Sequence, residues 1–425
     1  MLDGQTTGVP VTIAQIRRPE HIAILGKTGS GKSMLLRHFA GQDIQSGRGF
    51  VFFDLHGDAT PVLLKLFAQY ETVSRQDVSR KLIVIEPSDR DFSMGLNLIE
   101  PGTSQNSFVQ IAEFATILRT RWNLDSFGAR TEELLRNALH VLSDNRYTLL
   151  ELSPLLTNTA FRALCLRRTE NTEVRDYFAT RYDRTSEAQQ ATWRDAILNK
   201  VSAFTADPHF RHIVGQTQSS FSLGEAIDSG HWIILNLDKG RLGEQAATLG
   251  SLFLTKLKNA LFARQSRSLF TIYCDEIQNL VVFDSGLDTL LSEARKFGIS
   301  IVTANQFLDQ HPPAMRSALA AVGTHIFFAL SSTDAEKIAG SLDGGRTLAQ
   351  ELKNLPQRHF LLKSGHHRAL RSVVPPIAQP NADARDLLRR SRDRFARRRT
   401  EVEADIQRRH QSMRITTNEV LHDWQ

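Results

Sequence analysis

Short runs of consecutive apolar residues recur along the chain, separated by stretches with the apolar spacing of helices. The runs are His21–Leu25, Gly49–Phe53, Lys81–Ile85, His231–Leu237, Leu269–Cys274, Ile299–Thr303, His325–Leu330 and His359–Lys363. Several are apolar at successive positions instead of alternating. That suits central strands of a parallel sheet covered on both faces. Strands alternating with helices predict an α/β fold.

One interval breaks this rhythm. From about Gln105 to Phe221 the pattern is helical throughout, at Phe108–Arg119, Thr131–Ser143, Thr148–Leu156, Thr172–Thr180 and Ala188–Phe204. This reads as an all-helical insertion. Past Pro375 and Pro380 the chain becomes Arg-rich, with Arg385, Arg389, Arg390, Arg392, Arg397, Arg398, Arg399, Arg408 and Arg409 among interspersed acids. A thin apolar stripe there (Leu387, Leu388, Phe395, Val402, Ile406) predicts a solvated helix with intrahelical ion pairs. Its basic bias also suits a DNA or protein partner. The expected organisation is an N-terminal extension (1–19), a discontinuous α/β domain (20–104 and 222–374), the helical insertion (105–221) and a basic helical tail (375–425).

Composition changes this picture little. A chain of 425 residues, 41% hydrophobic and 23% charged, suits a soluble globular protein of two or three units. The net charge of +6 permits a nucleic-acid partner without requiring one. Cys165 and Cys274 have no metal-ligand spacing and read as free thiols in a reducing compartment. The first nineteen residues lack a signal-peptide pattern, and no apolar run reaches membrane-spanning length. The expected location is cytoplasmic, with contact at the inner face of a membrane only through partners.

Chemistry enters at Gly26-Lys27-Thr28-Gly29-Ser30-Gly31-Lys32-Ser33, a complete Walker A pattern. A strand-like run precedes it and a helical pattern, Met34–Ala40, follows. The glycines let the loop bend round an anion, so that successive N–H groups and the helix N-terminus face phosphates. The expected nucleotide-binding set is Gly26, Lys27, Thr28, Gly29, Ser30, Gly31, Lys32, Ser33 and Met34. Lys32 brings charge to the phosphates, and the Ser33 hydroxyl is an Mg²⁺ ligand. The apolar run Phe270–Cys274 ends in Asp275-Glu276, a Walker B pattern. Asp275 is the expected second metal residue and Glu276 the general base for the attacking water. Asp54, His56 and Asp58 follow the second strand, and Gln306 follows the sixth. Parallel sheets bind ligands outside such strand ends. ATP and Mg²⁺ are the implied cofactors.

These motifs together resemble a family. The Walker A loop, Asp54-Leu55-His56-Gly57-Asp58, Asp275–Asn279, Glu293–Gly298 and Thr303–Phe307 are similar to the HerA/FtsK-like branch of RecA-type motor ATPases. Within it they most resemble TraG/TraD-type coupling ATPases of conjugative type IV secretion. The resemblance spans roughly Glu20 to Arg371. It implies a RecA-like ATPase with a helical domain, working as a homo-hexamer on the DNA backbone without regard to sequence. Relaxosome or secretion-channel proteins are the implied partners. An arginine finger reaching the neighbouring subunit's nucleotide is also implied, and Arg295, eleven residues before Gln306, stands at the matching position. Gln306 would couple nucleotide state to DNA movement. Lys239 and Arg241 are loop cations suited to DNA contact. Leu55 stands where the family often has proline. The alternatives are an ATPase driving protein secretion or channel assembly, a HerA-like DNA-processing or defence ATPase, and a nucleotide-dependent adaptor.

Overall fold

A computed structural model describes residues 10–100, 107–121, 128–280, 287–365, 367–375 and 380–422. Residues 1–9 of the expected N-terminal extension and part of the entry to the helical interval lie outside that set. Eleven strands are present among the described residues: β1 (Ile22–Leu25), β2 (Phe50–Asp54), β3 (Leu82–Ile85), β4 (Phe92–Ser93), β5 (Trp232–Asn236), β6 (Phe270–Asp275), β7 (Ile299–Asn305), β8 (Thr324–Phe327), β9 (His359–Ser364), β10 (Leu370–Val373) and β11 (Arg397–Arg398). All but β4 and β11 form one sheet, in the order β10-β9-β8-β1-β7-β6-β2-β5-β3.

From β8 across to β5 the ladders are parallel, and β9 and β10 turn back antiparallel at one edge. Each of the eight sequence runs became a strand of this sheet. Their contiguous apolar pattern has a direct cause: both faces are covered. Ile22 and Ile24 of β1 pack into one core cluster with α1 (Lys32–Gln45) and α2 (Ala59–Ser74). Leu25 faces the other way, into a second cluster with Phe327, Leu352 and Leu361. Strand periodicity of two thus places apolar residues on both sides.

Two compact units divide the described residues. The first takes those of Met1–Val84, Leu223–Lys239 and Ala260–Ser391. The second takes those of Ile85–Ser222, Gly240–Asn259 and Arg392–Gln425. In the first, a buried polar knot joins the 3₁₀ turn Gln15–Glu20 to the sheet. The Arg18 guanidinium donates to both oxygens of Asp43, at 2.5 and 2.7 Å, and to Thr271 Oγ1 at 2.9 Å. Tyr273 Oη donates to the same carboxylate at 2.7 Å. Burial alone would raise the Asp43 carboxyl, but these hydrogen bonds and the Arg18 charge hold it below the ordinary range.

The second unit is helical between residues 107 and 222, with no strand there among the described residues. The helices include Ser107–Arg121, Ala129–Asp144 and Glu187–Thr205, as well as Thr159–Arg168 and Pro208–Val214, which the apolar spacing had not singled out. The tail is not merely solvated. In the second unit, Arg409 reaches the fully buried Glu151 at 2.8 Å, while Val402 and Ile406 pack against Leu150. In the first, Arg390 pairs with Glu71 and Asp77, and Ser391 Oγ donates to the Leu82 carbonyl at 2.6 Å. Much of the arginine charge is thus neutralised within the fold. Among the described residues no helix is long and apolar enough to cross a membrane.

Candidate nucleotide site

The loop between β1 and α1 lies wholly within the first unit. It begins between two strands. Gly26 N–H donates to the Asn305 carbonyl at 3.1 Å, and Lys27 N–H to that of Ala329 at 2.8 Å. A side chain at Gly26 would meet Phe328 Cβ at 2.6 Å, so glycine is required there for close approach. Gly31 caps α1 at φ 117°, a conformation open to glycine. Lys32, the first residue of α1, folds back and donates to the carbonyls of Gly26 (2.7 Å) and Lys27 (3.0 Å). Burial lowers its ammonium below the ordinary lysine value, against the pull of Asp275 and Glu276.

Ser33 sits one residue into α1, and its hydroxyl donates to Asp275 Oδ2 at 2.5 Å. Asp275 ends β6. Burial raises its carboxyl, with the Ser33 hydrogen bond and Lys32 acting the other way. A hydroxyl and a carboxylate are hard oxygen donors suited to Mg²⁺, which uses one or two protein ligands beside phosphate and water. Among the described residues no group of three or more His, Cys, Asp or Glu side chains could hold a metal ion.

Glu276 follows in a left-handed conformation, φ 55°. Three side chains converge on its carboxylate: Gln306 Nε2 donates to Oε1, Asn279 Nδ2 donates to Oε2 at 3.1 Å, and His56 Nε2 stands 3.4 Å from Oε2. The His56 hydrogen bond is the main reason the Glu276 carboxyl titrates below its ordinary value, and the same contact raises His56 to about 9. Gln306 also touches the loop, accepting from Thr28 Oγ1 at 3.1 Å. Residues from four parts of the sequence therefore meet beyond the ends of β1, β2, β6 and β7.

Asp54 plays another part, and Arg295, expected to act on a neighbouring subunit, lies apart from the loop of its own protomer. The Asp54 carboxylate is turned into its own loop, accepting from Gly57 N–H (2.9 Å), Thr60 N–H (2.7 Å) and Thr60 Oγ1 (2.6 Å). Arg295 makes no hydrogen bond or ion pair with the loop in this protomer. It lies in the turn Ala294–Phe297, 66% exposed, paired with Glu20 at 3.3 Å. Two residues without a motif do reach the loop. Gln357 Nε2 donates to the Gly29 carbonyl at 3.0 Å, and Arg358 N–H to that of Ser30 at 2.8 Å. Arg358 takes a φ of 68°, a strained value for a side-chain-bearing residue. These contacts turn loop carbonyls towards β9.

The family model for the type IV secretion-system coupling protein DNA-binding domain matches residues 5–359. Solved structures share the fold. The bacterial conjugative coupling protein TrwBdeltaN70 is 19% identical, with a TM-score of 0.61 over 87% of this chain and 88% of that one. The plasmid coupling protein TrwB in complex with ADP and Mg²⁺ is also 19% identical, with a TM-score of 0.62 over 87% and 88%. VirB4 of Thermoanaerobacter pseudethanolicus is 13% identical, with a TM-score of 0.53 over 84% and 90%. No curated protein matches the chain.

Proposed function

This chain belongs to the family of type IV secretion-system coupling protein DNA-binding domains, and on that premise we propose that it is an ATP-hydrolysing motor that moves DNA through a homo-hexameric ring. One observation carries the hydrolytic part: Ser33, Asp275, Glu276 and Gln306 converge on a single phosphate-binding loop. A pure nucleotide switch can dispense with a buttressed carboxylate next to the metal pair.

In this reading the loop N–H groups and Lys32 hold the phosphates. Ser33 and Asp275 hold Mg²⁺, which when bound neutralises charge on the phosphate oxygens. Glu276 orients a water and accepts its proton as the water oxygen bonds to the γ-phosphorus. The bond from that phosphorus to the β,γ-bridging oxygen breaks, and ADP leaves with the electron pair. Arg295 serves a neighbouring subunit as its finger, which fits a side chain two-thirds exposed. TrwB, in complex with ADP and Mg²⁺, is a precedent for the ligands. Relaxosome or channel proteins, and through them a membrane, complete the setting.

DNA contact in such a motor is to phosphates, so affinity is indifferent to sequence and steep in salt. The logarithm of the binding constant should fall against log salt with a slope of about −0.9 per phosphate contacted on duplex, or about −0.7 on single strands. Arg241→Ala should weaken binding to all sequences alike and reduce the slope by about 1. Fluorescence anisotropy with unrelated oligonucleotides at several salt concentrations measures both. Affinity that depends on sequence, or is flat in salt, counts against phosphate tracking.

A further inference from the structure

His56 has no part in the mechanism above, yet the chain takes care over its placement. It follows β2 in a loop tied from beneath by the buried Asp54 carboxylate, through three hydrogen bonds to Gly57 and Thr60. Gly57 adopts φ 74°, and a side chain there would press on Asp238 at 3.1 Å. Such a loop has little freedom. It delivers the His56 ring, 54% exposed on its side chain, to 3.4 Å from Glu276 Oε2.

The carboxylate it meets is otherwise held by Gln306 at Oε1 and Asn279 at Oε2. An ionised carboxylate has about four acceptor positions. Three donors, from the ends of β2 and β7 and from the turn after β6, leave about one for a water. With His56 removed, a second acceptor position opens on Oε2, and the water has two directions in place of one.

We propose that His56 is a positioning residue for Glu276: it joins Asn279 on Oε2 while Gln306 holds Oε1, so that a single acceptor direction remains for the attacking water. This rests on the reading of Glu276 as the base. It assigns the histidine of the Asp54–Asp58 loop a role in the chemical step and none in nucleotide affinity. Among the described residues the imidazole has no hydrogen bond or ion pair to the phosphate loop or to Ser33, and it acts on Asp275 only through its charge.

The test compares steady-state ATPase activity and fluorescent-ADP binding of the full chain for wild type, His56→Ala, His56→Gln and Glu276→Gln. His56→Ala should lose up to about 100-fold in kcat, the scale of a misplaced reacting group. KM and ADP affinity should stay within about twofold. His56→Gln keeps an N–H donor at similar reach and should recover most of the loss. If Glu276→Gln is inactive while His56→Ala turns over like wild type, the inference is wrong and the base assignment stands. If His56→Ala loses ADP affinity in step with kcat, or His56→Gln recovers nothing, the residue supports the loop and does not position the base. Full turnover by Glu276→Gln overturns both readings together.

Discussion

Glu276→Gln should lower ATP turnover by about 10²- to 10⁴-fold, the range for removing a general base, while fluorescent-ADP binding remains near wild type. The amide keeps the length and shape of the side chain and can still pack between Gln306, Asn279 and His56. It cannot accept the proton that attack on phosphorus releases. The wild-type group is ready to do so at neutral pH, because the His56 contact and the Gln306 and Asn279 donors hold its carboxyl below the ordinary range against the effect of burial. Binding should persist because the loop amides, Lys32 and the Ser33–Asp275 pair are untouched. Turnover comparable in the two proteins would remove Glu276 as the base and, with it, the motor reading.

Arg295→Ala should cost more, about 10³- to 10⁵-fold in the assembled protein, the scale of an arginine finger. In the single protomer Arg295 pairs with Glu20 and leaves the loop alone, so nucleotide binding by unassembled protein should not change. The assignment in trans has its own signature. Arg295→Ala and Glu276→Gln protomers, each inactive alone, should regain turnover when mixed. Some interfaces then join an intact Glu276 to an intact neighbouring Arg295. Full activity of Arg295→Ala in the assembled state, or no recovery in the mixture, would move the finger elsewhere.

What could be read from the sequence follows how local each constraint is. The Walker A loop is legible because glycines, lysine and hydroxyl must be contiguous to wrap phosphate, and β1 and α1 flank it as the apolar pattern predicts. The strands of the parallel core are legible because double-sided burial forces consecutive apolar residues. Strand β10 is not: it is a partly exposed edge strand carrying Arg371 and Ser372, recruited by its hairpin partner β9. Gln357 and Arg358 escape for a related reason. Their contacts are to loop carbonyls more than 300 residues away, through a backbone N–H and a surface amide that no motif marks. The positive φ at Arg358 is visible only in three dimensions. His56 was visible as a polar residue at a strand end, but its partner was not, because pairing depends on the β2–β6 ladder. The arginine tail misleads in the opposite sense. Its charge pattern looks available, whereas Glu151, Glu71 and Asp77 meet it in the fold.

A site shared between subunits of a DNA-driven ring would show itself in ATP turnover per protomer, with and without DNA of unrelated sequences, across a range of protein concentration. The expected result is a rate that rises with concentration as interfaces form and bring Arg295 to a neighbour's loop, and rises further when DNA is added. A rate per protomer that is the same at every concentration, and the same with DNA as without it, would mean that no site is shared and that DNA does not drive turnover.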